Sequence, residues 1–259
     1  MDSTVKDNTE RIEATMIHAD GSSGTEEMEV LREHELTVLI NDKPVMRLIC
    51  TRDHLKELVT GRLYTDRMIN APDEIASLFF CRYENEAMVF LEPDIMLNEA
   101  VREDKSCCTG NRVYYTADSR REMKKPAGLQ WKPEWIFSMA ERFKTETGLH
   151  RRTQGTHSCL LARAGEIIFE CEDIGRHNAI DKVVGYGLLN AIPLSECMIY
   201  TSGRVPVDMA EKVISAGIPV LASKSVPTAE AAALAHEYGL TLICRAHTDS
   251  LTMVNNSYT

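Results

Sequence analysis

Two stretches of this chain hold the residues best suited to chemistry. The first is an adjacent pair of cysteines, Cys107 and Cys108, followed by Thr109 and Gly110. The second is the run Glu-Asp-Ile-Gly-Arg-His-Asn-Ala-Ile-Asp-Lys at residues 172–182, in which more than half of the residues are ionisable. The first stretch offers sulfur chemistry. The second offers either a binding site for an anion or a network of structural charges.

The cysteine pair is interpreted as a reactive thiol in an irregular, polar segment. Thiolate reactivity needs exposure and electropositive surroundings, and Lys105 and Arg112 supply nearby positive charge in the sequence. A zinc site is disfavoured, because paired zinc ligands usually have two or more residues between them and the chain has no matching second pair. A vicinal disulfide between neighbouring cysteines would be strained. The alternative is that the two cysteines are bystanders.

The charged stretch at 172–182 follows a strand-like apolar pattern and precedes a helix-like one. Gly175 lets the backbone approach a ligand, and the N–H groups of the first helical turn, together with Arg176, attract an anion such as phosphate. In the alternative interpretation, Asp173 caps the helix and His177 pairs with Asp181 four residues later, so that the stretch is structural. These residues alone leave the two interpretations equally supported.

The elements that must position these residues alternate between strands and helices in the second half of the chain. An amphipathic helix at 132–148 and two strands joined at Gly165 come first. Helices are then predicted at 177–190, 207–216 and 228–238, and strands at 197–201, 218–222 and 240–245. Such alternation predicts a mainly parallel sheet covered by helices, and ligands of such sheets bind beyond the carboxyl ends of the strands.

Four polar loops, each with a cation, leave the predicted sheet at that edge. They are residues 173–177, 202–204, 223–225 and 245–248. Their convergence favours the anion site, since phosphates are held by Arg, Lys and backbone N–H groups. His157, at the entrance of a strand, is expected to face this pocket. The chain lacks a Walker-type glycine loop and a dinucleotide-binding fingerprint, so an ordinary nucleoside triphosphatase or dehydrogenase is disfavoured.

Length and charge set the broad class of the protein. With 259 residues and a formal net charge of −10, the chain can bury a sizeable core but is a poor general nucleic-acid binder, because affinity for phosphate backbones comes from basic patches. No apolar run approaches the roughly 18 residues of a membrane span, and the start of the chain lacks the apolar core of a signal peptide. We therefore expect a cytoplasmic protein whose cysteines are thiols rather than disulfides.

The composition divides the chain into four expected segments. They are a flexible tail at 1–30, a small α+β domain at 31–100, a cysteine-bearing loop or linker at 101–131 and an α/β domain at 132–259. Within the small domain, a hairpin is predicted at 36–50. A helix capped by Thr51 or Asp53 is predicted to follow it.

Several motifs resemble the FdhD family of formate dehydrogenase accessory sulfurtransferases, and the resemblance runs from about Leu36 to Tyr258. Its most specific pieces are the stretch 172–182 and Thr201-Ser202-Gly203-Arg204. Further support comes from Ala216-Gly217-Ile218-Pro219, from Val226-Pro227-Thr228, and from Cys50-Thr51 followed by Glu57-Leu58-Val59-Thr60-Gly61. The resemblance implies a carboxyl-terminal domain with a cytidine-deaminase-like three-layer fold, and a homodimer.

The resemblance also implies an activity. Sulfur is accepted as a persulfide from a cysteine desulfurase and passed to molybdenum (or tungsten) bis-molybdopterin guanine dinucleotide, the bound substrate. The cofactor then enters the formate dehydrogenase catalytic subunit. Family members carry the persulfide on a loop that often reads Cys-Gly-x-Cys-Gly. That place is held here by Cys107-Cys108-Thr109-Gly110, so either Cys107 or Cys108 is the implied carrier.

The family's contact to the guanine dinucleotide maps onto residues 243–248, where Arg245 is the firm match. A polyanionic cofactor also suits a pocket lined by arginine and lysine, with His157 or His177 as proton shuttle. The predicted cofactor-binding residues are Asp173, Gly175, Arg176, His177, Ser202, Gly203, Arg204, Lys224, Ile243, Cys244, Arg245, Ala246, His247 and Thr248.

Two other functions compete with sulfur transfer. One is a cofactor-binding chaperone in which the cysteine pair is incidental. The other, less favoured, is a zinc-dependent nucleoside hydrolase. No metal site is predicted, because the His-x-Glu and Pro-Cys-x-x-Cys signature of zinc deaminases is absent from the sequence.

Overall fold

The structure, a computed structural model, describes residues 8–92, 97–103, 110–117, 122–144 and 148–257. The strands are β1 (Thr9–Ile17), β2 (Ser23–Leu31), β3 (His34–Ile40), β4 (Lys43–Cys50), β5 (Ile75–Phe80), β6 (Glu86–Leu91), β7 (Leu97–Glu103), β8 (Arg112–Ala117), β9 (His157–Arg163), β10 (Glu166–Asp173), β11 (Cys197–Thr201), β12 (Val220–Ser223), β13 (Thr241–Cys244) and β14 (Thr252–Asn255). The α-helices are α1 (Leu55–Thr65), α2 (Pro133–Lys144), α3 (Leu149–Thr153), α4 (Arg176–Leu189), α5 (Val207–Ser215) and α6 (Ala229–Tyr238). Single 3₁₀ turns occur at Pro72–Glu74 and Leu194–Glu196.

Strands β1 and β2 form an antiparallel hairpin, which we call the arm. They pair along their whole length, from Thr9 with Leu31 to Ile17 with Ser23. At the base of the arm, Asn8 donates to the Asp53 carboxylate and accepts the N–H of Arg52. The prediction of a flexible tail is wrong for this segment. Charged residues occur on both faces of the hairpin, with Glu10 and Glu26 on the same face as Ile12 and Met28, and they hide the strand alternation in the sequence.

The amino-terminal domain is a six-stranded sheet in the order β5-β6-β3-β4-β8-β7, with α1 packed against its apolar core. The predicted hairpin is confirmed as β3 and β4, and the predicted helix as α1. The predicted cap is wrong. Helix α1 begins after His54, whose backbone is left-handed and whose side chain makes no capping hydrogen bond.

The amino-terminal sheet extends further along the chain than predicted. Strands β7 and β8 add residues 97–103 and 112–117 to it, so residues 101–103 and 112–117 of the predicted linker belong to this domain. The two strands pair with each other and flank the segment that carries Cys107 and Cys108. Both cysteines lie outside the described residues.

The carboxyl-terminal domain is built on a six-stranded sheet in the order β10-β9-β11-β12-β13-β14. Only β11–β12 and β12–β13 pair in parallel, whereas β9 with β10, β9 with β11, and β13 with β14 are antiparallel. The sheet is therefore mixed, and the prediction of a mainly parallel sheet is wrong. Ala164 and Gly165 both have positive φ, which makes the tight turn that reverses the chain between β9 and β10.

Helices cover both faces of this sheet. Cys159 and Leu161 of β9 pack with α4, α5 and α6 in one core. Leu160 and Ala162 of the same strand point the opposite way and pack with α2 in another core. Because successive side chains of a strand alternate between the two faces, β9 contributes to both cores. The domain thus has three layers.

Strands β10, β11, β12 and β13 run in the same direction, because β10 and β11 are each antiparallel to β9 and the next two pairs are parallel. Their carboxyl ends meet at one edge of the sheet, where β9 begins. We call this the carboxyl edge. The four polar loops singled out in the sequence all lie there.

Helix α1 of the amino-terminal domain lies directly on α4. A Cβ atom added to Gly61 would overlap the Asp181 carbonyl, and one added to Gly185 would overlap the Glu57 carbonyl. Glycine at these two positions permits contact between the helix backbones. The amino-terminal domain is therefore held against the helix that begins with the charged stretch.

Candidate functional site

The loop after β11 is fixed to its neighbours at the carboxyl edge. The N–H of Ser158 donates to Ser202 Oγ (3.0 Å), and the N–H of Ser202 donates to the Ser158 carbonyl (3.1 Å). The hydroxyl of Ser223 donates to the Gly203 carbonyl (2.7 Å). Ser202 and Gly203 therefore support the loop, and Arg204, which follows them, is exposed.

The loop after β13 contains a backbone conformation that most residues avoid. Arg245 has a φ of 46°, in the left-handed region, which persists in non-glycine residues only where the surroundings enforce it. Here the N–H of Arg245 donates to the Ser225 carbonyl (2.9 Å), and the N–H of Ala246 donates to the Ser223 carbonyl (3.0 Å). These bonds hold the backbone while the Arg245 side chain stays exposed.

Three exposed cations thus lie on successive loops of the carboxyl edge: Arg204, Lys224 and Arg245. We call them the cationic rim. Within the part of the chain that the structure describes, no carboxylate forms an ion pair with any of the three. Arginine and lysine in this setting bind phosphate or carboxylate groups. The rim is the part of the predicted site best placed to meet an anionic ligand.

A pocket of about 220 Å³ opens beside the rim. Predicted site residues Lys224, Ala246, His247 and Thr248 line it, together with Ala140, Phe143, Lys144 and Tyr200. The Phe143 and Tyr200 rings lie 4.8 Å apart, and the Tyr200 hydroxyl donates to the Ala246 carbonyl (2.6 Å). The sequence predicted an amphipathic helix here but gave no sign that Phe143 lines a pocket. No sequence signal distinguishes a half-buried aromatic at a pocket from one in a core.

Two other members of the predicted contact set do not face the edge. Ile243 packs in the core beneath α2, and Cys244 packs in the core beneath α4–α6. Both side chains are buried, because they sit within the last strand of the parallel trio. Their assignment to ligand contact is wrong as far as their side chains are concerned.

The start of the charged stretch is a buried structural network. Asp173 is fully buried and lies 2.6 Å from Lys182 Nζ. It also accepts the N–H groups of Thr51 (3.1 Å) and Gly175 (2.8 Å) and the amide of Asn178 (2.9 Å). Burial by itself lowers the pKa of Lys182, but the Asp173 carboxylate outweighs it and raises that pKa above the ordinary value. Asp173 and Gly175 therefore follow the structural interpretation and do not line an anion site.

His177 and Asp181 do not pair with each other as the structural interpretation predicted. Asp181 lies 2.9 Å from Lys212 Nζ and accepts the Thr65 hydroxyl (2.6 Å). His177 Nε2 instead lies 3.1 Å from Asp208 Oδ1 at the start of α5. Burial raises the pKa of Asp181, opposed by Lys212. Sequence spacing cannot find partners such as Asp208 and Lys212, because they lie on another helix.

Arg176, Gly203 and His157 meet below the rim. A Cβ added to Gly203 would lie 3.1 Å from Arg176 Cβ and 3.7 Å from His157 Nδ1. Glycine therefore leaves room for both side chains against the loop. Burial, followed by the positive charge of Arg176, lowers the pKa of His157. The expected placement of His157 at the carboxyl edge agrees with the structure.

Asn111 ties the segment that follows the cysteine pair to α4. It is fully buried, accepts the N–H of Ile49 (2.8 Å) and donates to Asn178 Oδ1 (3.0 Å). Asn178 in turn donates to the Ile49 carbonyl (2.8 Å). Asn111 is three residues after Cys108 in sequence, and Asn178 is two residues after Arg176. The chain therefore returns from the cysteine segment next to the start of α4.

A second pocket of about 270 Å³ lies along the edge strand β10. Asp53, Glu170 and Glu172 contribute three carboxyl groups to its lining. Arg142, which also lines it, is paired with Glu170 (2.6 Å). The balance of charge makes this pocket less suited to phosphate than the carboxyl edge.

The model of the FdhD/NarQ family matches residues 31–258. This match covers nearly all of the chain. The chain belongs to the FdhD/NarQ family.

Curated FdhD/NarQ relatives are named sulfur carrier protein FdhD. One, from Listeria innocua, is 30% identical over 223 residues, which cover 84% of this chain and 85% of the relative. Another, from Halalkalibacterium halodurans, is 30% identical over 221 residues, which cover 83% and 82% of the two chains. A third, from Streptomyces avermitilis, is 30% identical over 253 residues, with 91% and 89% covered.

A solved crystal structure shows the same fold. It is that of a protein from Desulfotalea psychrophila described as a formate dehydrogenase accessory protein. The TM-score is 0.76 at 22% identity, with 96% of this chain and 97% of the other covered. The mixed α/β fold of this chain is therefore also found in an experimentally solved structure.

In this FdhD/NarQ chain, most described cysteines are unsuited to act as nucleophiles. Cys50, Cys159 and Cys171 are buried, and burial raises the pKa of each thiol. Burial also raises the pKa of Cys197 to about 11 and that of Cys244 to about 12. Because the thiolate is the reactive form, these five thiols are inert at neutral pH. The remaining described cysteine, Cys81, is partly exposed and donates to Asn85 (2.9 Å) in the β5–β6 turn.

Among the residues that the structure describes, no group of three or more His, Cys, Asp or Glu side chains is arranged to hold a metal ion. In the same residues, no helix combines the length and the apolar character that a membrane span requires.

Proposed function

We propose that this protein carries sulfur as a persulfide on Cys107 or Cys108, from a cysteine desulfurase to molybdenum (or tungsten) bis-molybdopterin guanine dinucleotide. Membership of the FdhD/NarQ family and the names of its relatives support a sulfur carrier. The observation that carries the cofactor assignment is the cationic rim at the carboxyl edge. The cofactor is a polyanion, and Arg204, Lys224 and Arg245 offer it three cations without carboxylate partners among the described residues.

The pocket beside the rim suits the remainder of a nucleotide. Phe143 offers aromatic surface, and Lys144, Lys224 and His247 offer polar groups. A nucleobase binds to such surroundings by stacking and hydrogen bonding. In this arrangement the rim holds the diphosphate and the pocket holds the base.

Two sulfur transfers make up the proposed reaction. In loading, the thiolate of Cys107 or Cys108 attacks the terminal sulfur of the desulfurase persulfide, and the desulfurase cysteine leaves as a thiolate. In delivery, the sulfur–sulfur bond of the carrier persulfide breaks and the terminal sulfur bonds to the metal of the substrate. A metal in the +4 state supplies the two electrons and becomes +6, and the carrier cysteine returns as a thiol.

The partners that follow from this proposal are a cysteine desulfurase and the formate dehydrogenase catalytic subunit. The relationship of the three-layer domain to cytidine deaminases, the homodimer and the cytoplasmic location belong to the same proposal. The first two are implied by the resemblance of the sequence motifs to the FdhD family.

Persulfide mapping tests the proposed function. The full chain is incubated with a cysteine desulfurase and cysteine, and the mass of the peptide that contains Cys107 and Cys108 is measured by mass spectrometry. We expect one added sulfur, which is lost in either Cys107→Ser or Cys108→Ser, whichever removes the carrier. Cys81→Ser is the control and keeps the added sulfur. Absence of added sulfur from both residues contradicts the proposal.

A non-catalytic cofactor-binding chaperone is the second candidate, because the rim and pocket form a binding site without any thiol. It predicts that the double variant Cys107→Ser/Cys108→Ser still supports formate dehydrogenase maturation, whereas Arg204→Ala abolishes it. The sulfur-carrier proposal predicts that both variants fail. Maturation assays in cells that lack the native protein separate the two.

A further inference from the structure

We propose that Ser223 is the positioning residue of the cationic rim, an inference that rests on the proposed function. Ser223 is fully buried at the end of β12, so it acts on a ligand only through the groups that it holds. Those groups are the backbone next to all three rim cations. Held in this way, the cations keep the arrangement that lets them bind one polyanion together.

Arg204 is held on both sides by the segment that follows β12. On one side, the Ser223 hydroxyl donates to the Gly203 carbonyl (2.7 Å). On the other side, the N–H of Val205 donates to the Val226 carbonyl (3.0 Å). Because both of its neighbours are fixed, the backbone of Arg204 has little freedom to move relative to β12.

Lys224 follows Ser223 directly and is held by the same hydroxyl. The Ser223 oxygen accepts the N–H of Ser225 (2.9 Å), and the N–H of Lys224 donates to the Thr201 carbonyl (3.0 Å). The hydroxyl of Ser223 therefore donates to the loop after β11 and accepts from its own loop. Donating and accepting at the same oxygen strengthen each other.

The loop after β13 depends on Ser223 and on its neighbour Ser225. The N–H of Arg245 donates to the Ser225 carbonyl (2.9 Å), and the N–H of Ala246 donates to the Ser223 carbonyl (3.0 Å). The left-handed backbone of Arg245, with a φ of 46°, persists only while such contacts enforce it. Because the Ser223 hydroxyl fixes Ser225, its loss weakens the contact that holds Arg245.

Loss of this one hydroxyl would therefore disturb the whole rim. The Gly203 carbonyl and the Ser225 N–H would both lose a hydrogen bond inside the protein. Buried backbone groups must be hydrogen-bonded, so the loops would shift toward other partners. The three cations would remain, but a polyanion would have to order the loops before it could meet them, and affinity would fall.

Binding of guanosine diphosphate to the full chain tests this role. Wild type and Ser223→Ala are titrated by isothermal titration calorimetry, and circular dichroism checks that each is folded. We expect the Kd of Ser223→Ala to rise about 10-fold, the equivalent of one net hydrogen bond. Ser215→Ala is the matched control, because Ser215 is also buried but ends α5, next to the opposite edge of the sheet. Its Kd should equal that of wild type.

The salt dependence of the Kd separates positioning from a general loss of structure. In wild type the Kd should rise steeply with salt, because salt screens the rim cations. In Ser223→Ala the rise should be shallower, because fewer cations reach the ligand at once. A variant that is only less stable has fewer folded molecules but the same salt dependence.

A second variant keeps the test decisive if Ser223→Ala does not fold. Ser223→Cys keeps a side chain of similar shape with a weak donor and a weak acceptor. Its Kd should lie above that of wild type, again with a shallower rise with salt.

The outcomes have distinct meanings. If wild type does not bind guanosine diphosphate, the proposed cofactor site is overturned and the role of Ser223 falls with it. If wild type binds it and the folded Ser223 variants show the same Kd, or a higher Kd with an unchanged salt dependence, the proposed function stands and the positioning role of Ser223 is overturned.

Discussion

The charged residues of the carboxyl edge fall into two groups, one buried and the other exposed. The charged stretch at the start of α4 contributes Asp173, Lys182 and Asp181, all of them fully buried and paired. The cationic rim contributes Arg204, Lys224 and Arg245, all of them exposed and without a carboxylate partner among the described residues. The stretch with the highest density of charge is therefore structural, and the ligand-facing cations come singly from short loops.

The difference follows from the cost of burying charge. A buried ion must be paired and hydrogen-bonded, because its loss of water costs several kcal/mol. Asp173 meets that demand with Lys182 and three N–H donors. An exposed cation keeps its water and can exchange it for a ligand oxygen. Substitutions in the two groups should therefore affect different measurements.

The largest expected effect is on stability. Lys182→Met leaves the Asp173 carboxylate buried without its cation, so we expect the free energy of unfolding to fall by about 3–5 kcal/mol. Denaturant unfolding measures it. The matched control is Lys224→Met on the rim, which should change stability by no more than about 0.5 kcal/mol. Equal losses of unfolding free energy in the two variants would contradict the distinction between the buried charge network and the cationic rim.

The next effect is on ligand affinity. Arg204→Ala removes a charged hydrogen-bond donor worth about 1.5–3 kcal/mol, so we expect the Kd for guanosine diphosphate to rise about 10- to 100-fold. Isothermal titration calorimetry measures this Kd, and the effect should shrink as salt screens the rim. Lys56→Ala, an exposed cation on α1, should leave the Kd unchanged. An unchanged Kd in Arg204→Ala would show that the rim does not bind the nucleotide.

The smallest effect is on the pH dependence of stability. The pKa of His157 is lowered in the folded state, so the unfolded chain binds more protons as pH falls below 6.5, and stability falls with it. The contribution is fully present above pH 6.5 and is lost as pH falls through the folded pKa. His157→Gln should flatten the decline just below pH 6.5, as seen in urea unfolding at a series of pH values. If stability falls with the same slope against pH in both proteins, the group that titrates is not His157.

Local sequence patterns predicted the helices and strands well, but they predicted poorly how those elements pair and pack together. The hairpin of β3 and β4, the helix α1 and the alternation from α4 to β13 follow from apolar spacing and turn residues within a few positions of one another. The arm was missed because its alternation is carried mostly by charged and small residues. The turn at Gly165 between β9 and β10 was predicted, but the antiparallel pairing of β9 with β11, which makes the sheet mixed, was missed because local spacing does not specify strand partners.

In the candidate site, too, local features were predictable from the sequence and tertiary contacts were not. The loops of the carboxyl edge were predictable from the sequence, because strand ends in such folds meet at one edge. Asp208, Phe143 and Asn111 were not, because their roles depend on side chains more than 20 residues away in the chain. Asp173 and Gly175 were predicted to bind the ligand because burial cannot be read from the types of residue.

The sequence by itself determined the family, the secondary structure around the carboxyl edge and the polar loops that lie there. Tertiary structure alone decided which charges are buried and which are exposed. The physical reason is that charge type and spacing are local properties, whereas pairing and desolvation depend on which helices and strands pack together. Thr51 and Thr65, from the other domain, complete the pairing of Asp173 and Asp181. Only that packing buried the charged stretch and left the rim exposed.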